Sequence, residues 1–176
     1  MAISAKNLPH FLFFDFDGVL VTNKEINLYS GDKCPYEYLK NNSYLHYIDR
    51  ILKGYKTEAY FIPISSWSFV FKDISVLKKY FEEEKFEALK IYEPQHYINT
   101  NGWHKKAKVE SESRPYIIKD FIKSHKIKEY LIFDDECTVP YLFLGLKHIK
   151  TSMYDGITGE NFHHFNMYVY NYWRKN

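Results

Sequence analysis

Apolar residues in this chain fall into short runs, and the runs follow two periods. Phe11-Leu12-Phe13-Phe14 is unbroken and apolar, the pattern of a strand buried on both faces. Ala59 to Ile64 and Tyr130 to Phe133 read the same way, with shorter strands expected at Ala88–Tyr92 and Lys147–Lys150. Between these runs apolar positions recur at helical spacing. Ser43 is placed to cap a helix carrying Tyr44, Tyr47, Ile48, Ile51 and Leu52 on one face. Asp73 to Phe81 reads as a second helix. Ile117, Ile118, Phe121 and Ile122 mark a third over 115–125, with Pro115 suited to its first turn. A last helix is expected around 160–173. Residues 22–42 are polar and turn-rich and read as a loop or insert. Pro63 conflicts with the second strand, because proline gives no donor to a ladder. Strand–helix alternation predicts an α/β fold around a parallel, doubly wound sheet.

Three of the expected strands end in residues with chemistry. Asp15, Asp17 and Gly18 follow the first, at the edge where open α/β sheets bind ligands. Gly18 leaves the turn free to adopt a conformation that a bulkier residue resists. Two neighbouring carboxylates are costly to bury unpaired. A divalent cation removes that cost, and Mg²⁺ takes oxygen ligands of this kind. Taken alone, Asp-x-Asp also fits a solvated turn. Asp134-Asp135-Glu136 follows the strand ending at Phe133 and, taken alone, fits an acidic helix start. Together, the two acid-tipped strands point to one metal site. Ser65 and Ser66 follow Ile64, where a hydroxyl can donate to a phosphoryl oxygen or cap a helix. Trp67 beside them can line a pocket or pack.

Composition adds limits. A chain of 176 residues with 45% hydrophobic and 26% charged residues fits one globular domain spanning 1–176. Its 17 Tyr and 14 Phe are unusual, and fit either biased composition or stacking on bases. Net charge of +2 makes no global demand for a nucleic-acid partner. Local density is higher where Lys105, Lys106, Lys108 and Arg114 follow Trp103 and His104. Cys34 and Cys137 make neither a disulfide framework nor a cysteine metal site, which suggests a reduced, cytoplasmic setting. No segment reads as a secretory signal, and no apolar run is long enough to span a bilayer, so no membrane partner is expected.

The run Phe-Leu-Phe-Phe-Asp-Phe-Asp-Gly, the Ser after the second strand, a basic residue near a later helix and the Asp134-Asp135 pair resemble the motifs of the haloacid dehalogenase-like (HAD) phosphatase superfamily. The resemblance implies a three-layer Rossmannoid fold and an aspartyl-phosphate intermediate. It makes Asp15 the nucleophile and Asp17 the proton donor and acceptor. Ser65, with Ser66 beside it, would bind the phosphoryl group. The phosphate-holding cation would be Arg114, Lys108 or Lys119, of which Arg114 is best placed. Mg²⁺ would be held by Asp15, the backbone carbonyl of Asp17 and Asp134, with Asp135 acting nearby or through water. Ser65-Ser66-Trp67, Arg114 before an Ile-rich helix, the Asp pair and Asp155-Gly156-Ile157-Thr158 further resemble HAD domains associated with RNA-repair proteins, over about residues 11–170. A plain turn also accounts for Gly156 and Gly159. The intervals between motifs leave no room for a large cap domain, so the site is expected to be open, edged by the loop at 22–42. The resemblance then implies a Mg²⁺-dependent phosphomonoesterase acting on nucleotide or nucleic-acid terminal phosphates. Small metabolites and phosphoproteins are alternative substrates, and a non-catalytic Mg²⁺- and phosphate-binding module is the other alternative. Oligomeric state is left open.

Overall fold

Five parallel strands make one sheet in the computed structural model, which describes residues 9–24, 43–64, 75–92 and 114–174. In chain order they are β1 (His10–Phe14), β2 (Ala59–Pro63), β3 (Leu89–Ile91), β4 (Glu129–Asp134) and β5 (His148–Lys150). Their spatial order is β3-β2-β1-β4-β5. The helices are α1 (Tyr44–Gly54), α2 (Ser75–Glu83), α3 (Arg114–Ser124), α4 (Thr138–Phe143) and α5 (Gly159–Tyr168). The expected parallel α/β architecture is therefore present. The steps β1→β2→β3 run one way across the sheet, and β3→β4→β5 run back past β1 to the other edge. Right-handed crossovers require helices on opposite faces for opposite directions.

That is how the core divides. Leu12 and Phe14 face α1, α2 and α5, packing with Leu45, Ile48, Leu77, Tyr80 and Phe165. Phe11 and Phe13 point the other way, onto Ile118, Ile122 and Tyr141 from α3 and α4. β1 is thus buried on both faces, as its unbroken apolar run required. Phe14 stacks between Phe61 and Phe133, with ring centres 5.0 and 4.8 Å away. Much of the aromatic content is spent on this core, since Phe13, Phe14, Phe16, Phe61, Phe133, Tyr80, Tyr141 and Trp173 are all fully buried.

Several local expectations are corrected. Ser43 precedes α1, but its backbone is already helical (φ −79°, ψ −8°) and its side chain makes no capping bond. A capping hydroxyl needs an extended backbone at that position. The buried face of α1 is Leu45, Ile48, Asp49 and Leu52, while Tyr47 is 51% exposed. Asp49 turns the helix this way. One of its carboxylate oxygens accepts from the N–H groups of Glu87, Ala88 and Leu89 at 3.1, 2.7 and 2.8 Å, tying α1 to the start of β3. Pro63 does lie in β2. Its nitrogen faces β3, because the next N–H, of Ile64, donates to the Phe14 carbonyl at 2.8 Å on the β1 side. The β2–β3 pairing ends at Phe61 and Ile91, just before the rung that Pro63 cannot make. The short helix α4 has no counterpart in the periodicity.

The C-terminal helix forms where expected. Thr158 caps α5 reciprocally with Asn161, and a π-helical turn over Val169–Trp173 ends it. Beyond Lys24, the expected insert at 22–42 lies outside the described residues, as does Cys34. Cys137 is exposed and free. No helix among the described residues is long and apolar enough to cross a membrane.

Candidate active site

The chain reverses direction across the sheet between β1 and β4, and at such a switch point the connections diverge and leave a crevice beyond the strand ends. The pairing Phe14↔Phe133 brings the residues that follow, Asp15 and Asp134, side by side at that edge. The Asp15 N–H donates to the Phe133 carbonyl at 3.0 Å. Asp15 is 2% exposed and Asp134 fully buried, while Asp135 is half-buried. One carboxylate oxygen from each of Asp15, Asp134 and Asp135 lies within 4.8 Å of the others.

Buried carboxylates need donors, and each finds them. The Phe16 N–H donates to Asp15 Oδ1 at 2.8 Å. Arg114, at the first turn of α3, places its Nη1 between the two strands. It donates to Asp15 Oδ2 and, at 2.8 Å, to Asp134 Oδ2. Its Nε lies 3.6 Å from Glu136 Oε1. Burial opposes the guanidinium charge, but Asp15, Asp134 and Glu136 outweigh it and hold the pKa above its ordinary value. Asp134 is gripped from further sides. Its Oδ1 accepts from the Glu136 N–H at 2.8 Å, and its Oδ2 from the Tyr141 hydroxyl at 2.7 Å. Burial and then Asp134 push the Tyr141 pKa up, so the hydroxyl keeps its proton. The Asp134 carbonyl accepts from the Thr151 N–H at 3.0 Å and from His148 Nε2 at 3.0 Å. A carbonyl only accepts, so His148 carries its proton on Nε2, and burial holds its pKa below the ordinary value.

The turn after β1 sits against these acids. The N–H groups of Leu20 and Val21 donate to the Phe16 carbonyl, and Gly18 donates to the Val21 carbonyl at 2.8 Å. Gly18 has φ +69°, and a Cβ built on it would lie 2.5 Å from Asp135 Oδ2. Gly18→Ala must therefore both strain the backbone and displace Asp135. We expect it to lose about 1–3 kcal/mol of stability, read as a lower urea midpoint. A variant with an unchanged midpoint would contradict this packing. Gly156 performs a similar service from the loop after β5. With φ +63°, its missing Cβ would meet the Val19 carbonyl and Thr22 at 3.0 Å. Asn23 N–H donates to the Met153 carbonyl at 2.9 Å, which joins the same two loops. The Asp155-Gly156 motif is thus the seam between the loop after β5 and the turn after β1.

Of the residues singled out in the sequence, Asp15, Asp134, Asp135 and Arg114 converge. Asp17 is half-buried and its carboxylate is outside the three-carboxylate group. Lys119 lies five positions beyond Arg114 on α3, about 140° further round the helix, and so does not share its direction. Ser65, Ser66 and Lys108 lie outside the described residues, as do Trp67 and the basic run 103–108. Ser65 directly follows Ile64, which is bonded to the end of β1. Nothing in the sequence singles out Tyr141 or His148, or assigns Glu136 a role. Only a seven-residue offset from Asp134 and a short helix containing Pro140 distinguish Tyr141 in the sequence, and neither is a signal.

The donor set suits a hard divalent cation: three carboxylates, all-oxygen ligation, and one guanidinium to balance them. Burial and then the Asp134 charge hold the Asp135 pKa above its ordinary value despite Arg114. Glu136 moves the same way, chiefly by partial desolvation. A carboxylate whose folded pKa exceeds its unfolded one binds protons more tightly when folded, so its contribution to stability falls as pH rises through that window. Asp135→Asn removes the charge. In chelator it should melt higher than the unaltered protein, by a margin that is larger at about pH 7 than at about pH 4. A margin that shrinks with rising pH would refute the unfavourable charge.

Residues 11–162 match the family described as the HAD domain in Swiss Army Knife RNA repair proteins. No curated protein matches the chain.

Proposed function

The chain belongs to the HAD domains of Swiss Army Knife RNA repair proteins, and from that premise we propose that it is a Mg²⁺-dependent phosphomonoesterase acting on nucleotide or nucleic-acid terminal phosphates. The observation that carries this reading is the convergence of Asp15, Asp134 and Asp135 around Arg114 at the switch point of the sheet.

In this reading an Asp15 carboxylate oxygen attacks phosphorus in line and forms the new P–O bond as the ester P–O bond breaks. Asp17 protonates the departing oxygen. It then takes a proton from the water that attacks the aspartyl-phosphate, releasing phosphate and restoring Asp15. Arg114 brings a guanidinium fork of a geometry suited to phosphoryl oxygens. Ser65, and Ser66 beside it, would supply hydroxyl donors, and Lys108 would add positive charge. Asp15, Asp134, Asp135 and the Asp17 carbonyl would hold Mg²⁺, which supplies charge neutralisation on the transferring phosphoryl group. The preference for nucleic-acid ends rests on the matched family and on the basic, aromatic run at 103–114.

Phosphate release tests the reading. The panel holds mononucleotides, end-phosphorylated oligonucleotides, phosphopeptides and a generic aryl phosphate, each with Mg²⁺ and with chelator. Metal-dependent release favouring oligonucleotide ends or nucleotides supports it. Preference for phosphopeptides or small metabolites moves the substrate class. Mg²⁺ and phosphate binding without any release turns the reading into that of a binding module.

A further inference from the structure

Tyr141 has no part in the chemistry proposed above, yet its position is tightly specified. It is fully buried on α4, a helix of six residues. Its hydroxyl donates to Asp134 Oδ2 at 2.7 Å. Its ring stacks on His148, with centroids 4.1 Å apart and planes 27° apart. His148 in turn holds the Asp134 carbonyl at 3.0 Å. One stacked pair therefore grips the same aspartate at both ends: Tyr141 the carboxylate, His148 the main chain.

The hydrogen bonds on Asp134 show what the grip does. A carboxylate oxygen has two lone-pair directions. Oδ2 accepts from Tyr141 and from Arg114, which fills both. Oδ1 accepts from the Glu136 N–H, which leaves one direction open. We infer that Tyr141 is a positioning residue: by occupying Oδ2 and fixing the carboxylate plane, it presents Asp134 Oδ1 to the divalent cation. This rests on the metal reading given above. Hydrogen-bond partners behind metal ligands commonly act in this way, and removing one lowers metal affinity roughly 10–100-fold.

The test is Tyr141→Phe, which keeps the ring and its stack and removes only the hydroxyl. Calorimetric titration of Mg²⁺ into metal-free protein gives the dissociation constant directly, without relying on turnover. We expect it to rise by about tenfold or more, while far-ultraviolet circular dichroism in chelator stays unchanged. Turnover should recover toward the unaltered value at saturating Mg²⁺, which a general loss of structure would not allow. His148→Gln is the second variant, and it decides the matter if Tyr141→Phe does not fold. It leaves the hydroxyl present but loosens the ring that carries it, and it should raise the same constant by a smaller factor. Equal Mg²⁺ affinity in the unaltered protein and in the folded variants overturns the assignment while leaving the phosphatase reading intact. Absence of Mg²⁺ binding in the unaltered protein overturns both.

Discussion

Asp15→Asn is expected to reduce turnover on the best phosphoester by on the order of 10⁴-fold or more, the scale on which loss of a covalent nucleophile falls. The substitution is close to isosteric, but the amide nitrogen that takes the place of Oδ2 is a donor and gives up the ion pair with Arg114. The Phe16 N–H that donates to Asp15 Oδ1 can donate equally to an amide oxygen. The neighbouring chain is held independently by the Asp15 N–H bond to the Phe133 carbonyl. Folding should survive because Arg114 keeps Asp134 and Glu136 as partners, while nucleophilicity is lost, since an amide oxygen does not form an acyl phosphate that water can clear. Trapping makes the result specific. With radiolabelled substrate and a rapid acid quench, the unaltered protein should carry label that hydroxylamine removes, and Asp15→Asn should carry none. Turnover by the variant within about tenfold of the unaltered protein, or label retained on it, would remove Asp15 from the nucleophile's role.

Arg114→Ala is expected to have the largest effect on stability. Arg114 reaches across 99 positions of sequence to Asp15 and ties it to Asp134, and both partners are buried. Without the guanidinium, the buried Asp15 and Asp134 carboxylates lose the positive charge that both of them meet. Breaking a buried ion pair on one side typically costs about 3–5 kcal/mol, which for a chain of this size is roughly a 10 °C fall in Tm. If the acids hold Mg²⁺ as proposed, the metal would supply positive charge to the same carboxylates, partly reverse the loss and raise the Tm of the variant more than that of the unaltered protein. Arg114→Lys should lie between the two, because it keeps the charge and gives up the fork that spans both partners. Turnover should fall by about 10²–10³-fold in Arg114→Ala, in line with removal of one preorganised donor. Thermal melts in chelator and in Mg²⁺ check all three forms. A metal-free Arg114→Ala protein that melts with the unaltered one would mean that the acids are not held as a charged group.

Both expectations depend on residues of different legibility. Asp15 stands out in the sequence because its signal is local: an unbroken apolar run forces a strand buried on both faces, and the first acid after it must stand at the strand's end. The same reasoning finds Asp134 and Asp135 after Tyr130–Phe133. Arg114 is harder. In sequence it competes with Lys108 and Lys119, because a basic residue near a helix start is ordinary and nothing local says which carboxylate it meets. Its direction from α3, and the roughly 140° that separates Lys119 from it on the helix, become meaningful only once α3 is laid on the face of the sheet opposite α1 and α2.

What the sequence determined by itself is therefore the set of strand-forming runs, the parallel alternation with helices, and the acids that must cluster at one edge. Burial on two faces and the cost of unpaired charge are short-range constraints, written in a few consecutive residues. Tertiary structure decided the rest. It chose Asp49 over Tyr47 for the buried face of α1, because the nearby N–H groups of Glu87, Ala88 and Leu89 needed an acceptor. It placed Tyr141 and His148 behind Asp134, from a short helix that the periodicity does not mark and an edge strand that it marks as nothing more than packing. Such partners meet across the fold rather than along the chain, so only the assembled sheet and its helices reveal which polar group satisfies which.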